Sequence, residues 1–442
     1  MMTKKIIREL DDGLILRHAI PEDEEALVKF NREIHGEGDW DEKGLEDWTR
    51  DLVSGDSPTF NADDITIVED TATGEIVSTC CLISQTWTYD GIPFKVGRPE
   101  LVGTKKEYRR KGLIRRQFEA MHAWSAERGE LVQVITGIPY YYRQFGYEMT
   151  LGLGGGRAGY ETHVPKLKDD EIEPYTFRLA KVEDIPFLMK TYESGFSRSL
   201  VSALRDEAEW RYELTGKRQY NINRRDIFII EDTSKNPVGF IAVPPVKWRN
   251  LNALDMYELS PDMAWAEVTP SVIRFLWQRG EELAKEQDQT QNMFGFWLGE
   301  DHPVYHAKIT YLPREREPYA FYVRVPDIAA FLEVIQPKIE ANLAASPFVN
   351  HTGKLKMSFY NNGVLLDFEK GKLKSIVPLA FDELEKSDTR FPAHTFLHLL
   401  FGHRTIEELS HIYVDMETKD RETKELIGAL FPKKLSHIWP IS

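Results

Sequence analysis

Cysteine is scarce in this 442-residue chain: there are two, Cys80 and Cys81, and neighbours in sequence cannot tie distant segments together. That excludes a disulfide-built secreted scaffold and suits a reducing, cytoplasmic setting. Long apolar runs are missing too. No stretch of about 18 apolar residues occurs, and the opening MMTKKIIRELDDGL has lysines without an apolar core, so neither a membrane span nor a signal peptide is expected. Positive charge is in deficit. Asp+Glu total 71 against 56 Lys+Arg, a net charge of −15, and no block of like charge suggests a basic arm. Nonspecific partners such as nucleic acid or an anionic membrane would repel such a chain. What is present is material for cores: 42% apolar and 12% aromatic residues, well mixed with charge, which rules out disorder. At about 150 residues per domain, the length suggests three domains.

The chain repeats itself. Residues 14–27 (LILRHAIPEDEEAL) match 175–188 (YTFRLAKVEDIPFL), with Arg17/Arg178, Ala19/Ala180, Glu22/Glu183, Asp23/Asp184 and Leu27/Leu188 offset by 161. Trp48 and Leu52 pair with Trp210 and Leu214 at offset 162, and 67–71 (IVEDT) pairs with 229–233 (IIEDT) at the same offset. Three matches in nearly constant register indicate a duplicated domain. Each copy starts with a strand-like run carrying Arg, then a Glu-Asp pair suited to a helix N-terminus, then an apolar-periodic segment. Strand-like runs at 65–69 and 76–82 flank Thr73-Gly74, and runs at 227–231 and 238–243 flank Asn236-Pro237, which reads as one hairpin per copy. The glycines of 152–156 (GLGGG) have no amphipathic helix after them to make a dinucleotide loop, so they read as a flexible boundary, followed by a linker at 161–174. Beyond 313 the repeat stops. There a helix-like run (327–343), a strand pair (355–360 and 363–368) and helical patterns at 394–401 and 423–431 suggest a smaller module. The expected fold class is α+β (mixed α/β), with domains at 1–160, 161–312 and 313–442.

The most informative stretch is 100–129, ELVGTKKEYRRKGLIRRQFEAMHAWSAERG. A short strand end, Leu101-Val102-Gly103, leads through a basic loop to Gly112 and a helix. Ile114, Phe118 and Met121 share one helix face, and Gly129 sits where a C-cap should. A glycine entering a helix lets the backbone approach a ligand, and the unpaired first-turn N–H groups with the positive dipole end attract anions. Arg109, Arg110, Lys111 and Arg115 make a diphosphate the natural guest, held by the turn that ends in Gly112, Leu113 and Ile114. The second copy reads SPDMAWAEVTP over 260–270, without a basic glycine turn, so one copy has kept a site that the other has lost.

The run Arg109-x-x-Gly112-x-Ile114 resembles the acetyl-coenzyme A signature of the GCN5-related N-acetyltransferases, (Arg/Gln)-x-x-Gly-x-(Gly/Ala), with Ile114 in place of the last small residue. Residues 142–147, YRQFGY, are similar to the same superfamily's Tyr-x-x-Phe-Gly-(Tyr/Phe), which puts Tyr142 at the family's tyrosine. As a whole the chain resembles the enhanced-intracellular-survival (Eis) acetyltransferases of mycobacteria and their bacterial relatives. That resemblance implies a working acetyltransferase domain, a degenerate second one, a sterol-carrier-like third domain, hexamers, and a chain terminus carried into the first active site. It further implies acetyl-CoA as co-substrate, without a metal, and an acceptor among aminoglycosides or lysine-like amines.

The chemistry is consistent with these roles. The departing thiolate needs a proton, which a tyrosine of ordinary pKa about 10 can donate, and an α-carboxylate of pKa roughly 3.5 can accept one from the amine. Tyr142 is therefore the expected acid and the Ser442 carboxylate the expected base, with the backbone of Leu101, Val102 and Gly103 orienting the acetyl group and pantetheine. The acceptor should face 30–40 (FNREIHGEGDW), where Glu33, Glu37 and Asp39 could attract a cation. Other candidates carry less. His394 and His398 read HTFLH rather than HExxH and sit among leucines, which marks a core helix, and Cys80-Cys81 has no cation or His beside it to activate a thiolate. Two alternatives stand beside the acetyltransferase: a noncatalytic lipid or ligand carrier with a vestigial transferase domain, and a transferase of longer acyl chains.

Overall fold

The structure, a computed structural model, describes residues 5–36, 42–247 and 250–438. Its largest sheet runs in the order Ile6–Glu9, Leu14–His18, Ile65–Asp70, Glu75–Tyr89, Ile92–Thr104, Val132–Thr136, Tyr319–Arg324, Glu148–Leu153, and Val201–Leu204 adds to the far end of Glu75–Tyr89. Apolar alternation explains how this sheet is clothed. Cys80 and Leu82 face Phe118 and Met121 of the helix Leu113–Glu127, while Cys81 and Ile83 face the helices Glu24–His35 and Glu42–Ser54. The adjacent cysteines thus point to opposite faces, as the period of two requires. Burial pushes both thiols well above the ordinary range.

The second copy is split between two small sheets. Thr176–Leu179, Asp226–Glu231, Pro237–Val243 and Met256–Leu259 form one; Leu251–Leu254, Met293–Phe296, Gly156–Tyr160 and Arg314–Arg316 form the other. The repeat read from the sequence is also written in side-chain contacts. Arg17 is held by Asp23 (2.7 Å) and Glu69 (2.7 Å), and Arg178 by Asp184 (2.7 Å) and Glu231 (2.6 Å), the same fork in both copies.

The chain crosses the expected limits at 160 and 313 in one respect. Gly156–Tyr160 pairs with Met293–Phe296 and Arg314–Arg316 in the second copy, and Tyr319–Arg324 pairs with Val132–Thr136 and Glu148–Leu153 in the first. Each copy's sheet is completed by a strand that leaves the other. The glycines expected to be a flexible boundary are instead the corner between two strands: Gly154, Gly155 and Gly156 all have positive φ, and a Cβ on Gly156 would stand 2.0 Å from the Phe296 carbonyl oxygen. Only glycine fits there.

The third module places the meander Gly353–Ser358, Gly363–Glu369 and Lys372–Leu379 against helices Ile328–Val334 and Gln336–Ala344. Its core is continuous with the base of the large sheet, where Phe331 packs edge-on against Tyr89 (5.9 Å) and Phe94 (5.2 Å). The Tyr89 hydroxyl donates to the Leu400 carbonyl at 2.7 Å. Of the two histidines expected in a core helix, His398 is buried in Phe396–Leu400 while His394 lies in the turn before it; His398 stacks on His403 with Nδ1 atoms 2.9 Å apart.

Gly156→Ala should therefore unsettle both copies at once, lowering stability by about 3 kcal/mol in urea unfolding through backbone strain and collision. Gly74→Ala, at φ +72° with open space around it, should cost only about 1–2 kcal/mol.

Candidate active site

The cleft follows from how two strands separate. Ile92–Thr104 and Val132–Thr136 are parallel neighbours, yet they pair only at Val96 with Val132 and Gly97 with Gln133. Beyond that point they diverge, and the backbone edge that faces the gap lacks a partner strand. At Leu101 the chain takes a positive φ of 50°, a bulge at which pairing with Glu75–Tyr89 shifts between Thr79 and Cys81. The Leu101 carbonyl turns to accept from the Thr79 hydroxyl at 3.0 Å, and the Leu101 side chain enters the core beside the first two long helices.

The opened gap is a cleft of about 690 Å³. Val102 and Gly103 line one wall, Tyr141 and Tyr142 the other, and Gly112, Leu113, Ile114 and Arg115 the end. Gly112, at φ +73°, is the N-cap of Leu113–Glu127 and has nothing within 4 Å of where a Cβ would stand. The first-turn N–H groups therefore face open space at the positive end of a helix of 15 residues. Arg109 and Arg110 line the same space and are exposed, and Arg115 lies over the Phe145 ring at 5.3 Å. Of the four expected cations, Lys111 does not line the cleft: it reaches Asp12 at 2.8 Å.

Tyr142 sits in the short turn Tyr141–Phe145, 5% exposed, among Phe118, Tyr147 and Tyr322. Its hydroxyl lies 3.5 Å from the Cβ position of Gly137, the residue just after Val132–Thr136. Burial, with Glu100 and Cys80 adding to it, pushes the phenol pKa far above its ordinary value. Tyr142 is thus held as a protonated donor at the mouth of the diverging strands.

Sequence reasoning missed three polar residues here. His35, at the end of Glu24–His35, lines the cleft and bonds the Leu101 backbone; burial holds its pKa below the ordinary value, and its Nε2 has no partner among the described residues. Arg98 and Glu100, two apart on one strand face, form a buried ion pair under the bulge, with Thr136 also donating to Glu100 at 3.5 Å. Burial lowers the Arg98 pKa and raises that of Glu100. The signal was the unusual presence of Arg and Glu on an inward face of the strand before the motif. Glu33 is 53% exposed and lies 3.8 Å from Lys105, whereas Glu37, Asp39 and Ser442 lie outside the described residues.

Residues 38–150 match the model of the acetyltransferase (GNAT) domain. No curated protein sequence matches the chain. Among solved structures, a GCN5-related N-acetyltransferase from Anabaena variabilis is similar at TM-score 0.64 and 13% identity, over 96% of this chain and 99% of that one. A protein of unknown function from Enterococcus faecalis, described as a probable N-acyltransferase, has TM-score 0.64 at 13% identity, over 96% and 97%. Eis1 from Mycobacterium abscessus has TM-score 0.59 at 13% identity, over 96% and 99%. These likenesses show the fold, and the domain implies an acyl-CoA co-substrate. The cleft suits one: an open helix N-terminus and exposed arginines for a diphosphate, and an unpaired strand edge for an extended amide chain. The chain is an acyltransferase that carries a GCN5-related N-acetyltransferase domain.

Proposed function

We propose that the chain transfers an acetyl group from acetyl-CoA to a primary amine of a cationic small molecule, aminoglycoside or polyamine, or to a lysine-like group, directly within a ternary complex. The observation that carries this reading is the convergence of the Gly112 helix start and the buried Tyr142 hydroxyl on one cleft. Acetyl-CoA supplies an activated thioester. The first-turn N–H groups of Leu113–Glu127, with Arg109, Arg110 and Arg115, bind its diphosphate, and the backbone edge of Val102 and Gly103 aligns the pantetheine and the acetyl carbonyl. Tyr142 donates a proton to the departing sulfur.

The amine must lose a proton on the opposite side, and we assign that to the Ser442 carboxylate. Support comes from the route of the last described residues: His437 forms a parallel backbone bridge with Gly152. Gly152 belongs to the strand that, through Tyr319–Arg324, adjoins Thr136 at the cleft end of the sheet. Four further residues can reach at most about 14 Å from Ile438. A net charge of −15 favours cationic substrates, and Glu33, Glu37 and Asp39 are the candidate acidic residues for them.

Thiol release from acetyl-CoA, measured against polyamines, aminoglycosides and lysyl peptides, tests the reading; silence across that panel with intact acetyl-CoA binding would favour a carrier. Tyr142→Phe should lower kcat about 100-fold with acetyl-CoA affinity unchanged, and one residue added after Ser442 should do likewise. Arg109→Ala with Arg110→Ala should weaken CoA binding by more than about tenfold in calorimetry, while Lys111→Ala, whose ammonium is already on Asp12, should change it little.

A further inference from the structure

The second copy retains a remnant of its own cleft. The helices Glu24–His35 and Ile185–Ser194 correspond at offset 161, and Gly195 and Phe196, the counterparts of Ile34 and His35, line one cavity of about 60 Å³ together with His302. Its third wall is the strand Met256–Leu259, which follows the break at Asp255 as Val102 and Gly103 follow the bulge at Leu101. This remnant cannot receive a nucleotide. The helix Trp265–Glu286 begins with a tryptophan where the first copy has its basic glycine turn. That indole meets His302 edge-on at 4.8 Å, Arg198 lies over it at 5.7 Å, and Arg198 is paired with Glu258.

A different guest is already there. His437, from the end of the described chain, lines the same cavity, with a buried imidazole held below its ordinary pKa. Gly299 makes room for it: at φ +83°, its missing Cβ would stand 3.1 Å from the Cβ of His437. The segment leading there is pinned at each step. The Lys434 ammonium bonds Asp90 at 2.7 Å, the Lys434 N–H donates to the Gly402 carbonyl at 3.0 Å, and the Ser436 hydroxyl accepts from the Val201 N–H at 2.9 Å. These partners belong in turn to the first copy, the third module and the second copy. Past the remnant cavity, the His437 backbone bridges to Gly152 at the rim of the working cleft's end of the sheet.

We propose that the vestigial cleft of the second copy is a binding site for the chain's own 434–438 segment, in which His437 is a positioning residue that aims the following residues at the working cleft. The docking stands on the contacts above; its effect on turnover rests on the reading of Ser442 as the base. Emptied of its cofactor role, the second copy holds the tail instead.

The test uses the full-length protein. Native trypsin digestion followed by mass spectrometry reads how fast the chain is cut after Lys433 and Lys434, and thiol release with the best amine of the panel reads kcat and KM. His437→Ala, and independently Gly299→Val from the opposite wall, should speed these two cuts by about tenfold or more. They should also lower kcat at least about tenfold with KM for acetyl-CoA unchanged, and His437→Gln should recover part of both. Unchanged cleavage in both variants overturns the proposal. Faster cleavage with unchanged kcat overturns the positioning role of His437, while the Ser442 reading is decided separately by the variant extended after Ser442.

Discussion

The arrangement depends on the reciprocal exchange of Gly156–Tyr160 and Tyr319–Arg324. A strand in the middle of a sheet satisfies backbone donors and acceptors on both sides. Here Tyr319–Arg324 bonds Val132–Thr136 on one side and Glu148–Leu153 on the other, and Gly156–Tyr160 is flanked in the same way in the second copy. Withdrawing either strand would expose two ladders and open both apolar layers. The second copy is thus bound into the fold of the first even though its own cleft is closed.

The exchange also fixes the catalytic geometry. Tyr319–Arg324 braces Val132–Thr136 from the side away from Ile92–Thr104, and the Tyr319 hydroxyl donates to the Gly137 carbonyl at 2.5 Å. The Tyr322 hydroxyl receives the Tyr140 N–H at 2.5 Å. The turn that carries Tyr142 is therefore clamped by a strand that arrives from the second copy. A buried phenol surrounded by rings is of use as an acid only if it is held at one place along the gap. The strand supplies that constraint without entering the cleft.

The repeat, the two hairpins, the basic glycine turn and the tyrosine motif were legible because each is a local pattern: fixed offsets, period-two alternation, or a loop chemistry that works within a few residues. The Arg17 and Arg178 forks were visible as residues at matching offsets, though not as contacts. The exchange itself was not legible. An apolar strand announces that it will be buried, and nothing in YAFYVR or GRAGY says in which of two similar sheets; the register is decided by loop reach and by the corner of positive-φ glycines at 154–156. His35 was passed over for the acidic residues around it, since a histidine at a helix end takes meaning only once Leu101 is seen beneath it. Lys111 was counted with the arginines because spacing alone cannot show that Asp12, 99 residues earlier, lies within reach of its ammonium.

The two clefts, built on one framework, show how small a change separates a site from a socket. In the first, a glycine with positive φ leaves the helix start bare, so its partial positive charge is open to a ligand, and arginines stand at its edge. In the second, the helix starts at Trp265, which packs against His302 and Arg198, Arg198 is paired with Glu258, and His437 lines the cavity beside them. Burial raises the Glu258 carboxyl to about 7 despite the arginine. Where the first helix offers an open turn to an anion, the second begins with an indole, and a histidine from the chain's own tail lines the cavity beside that wall.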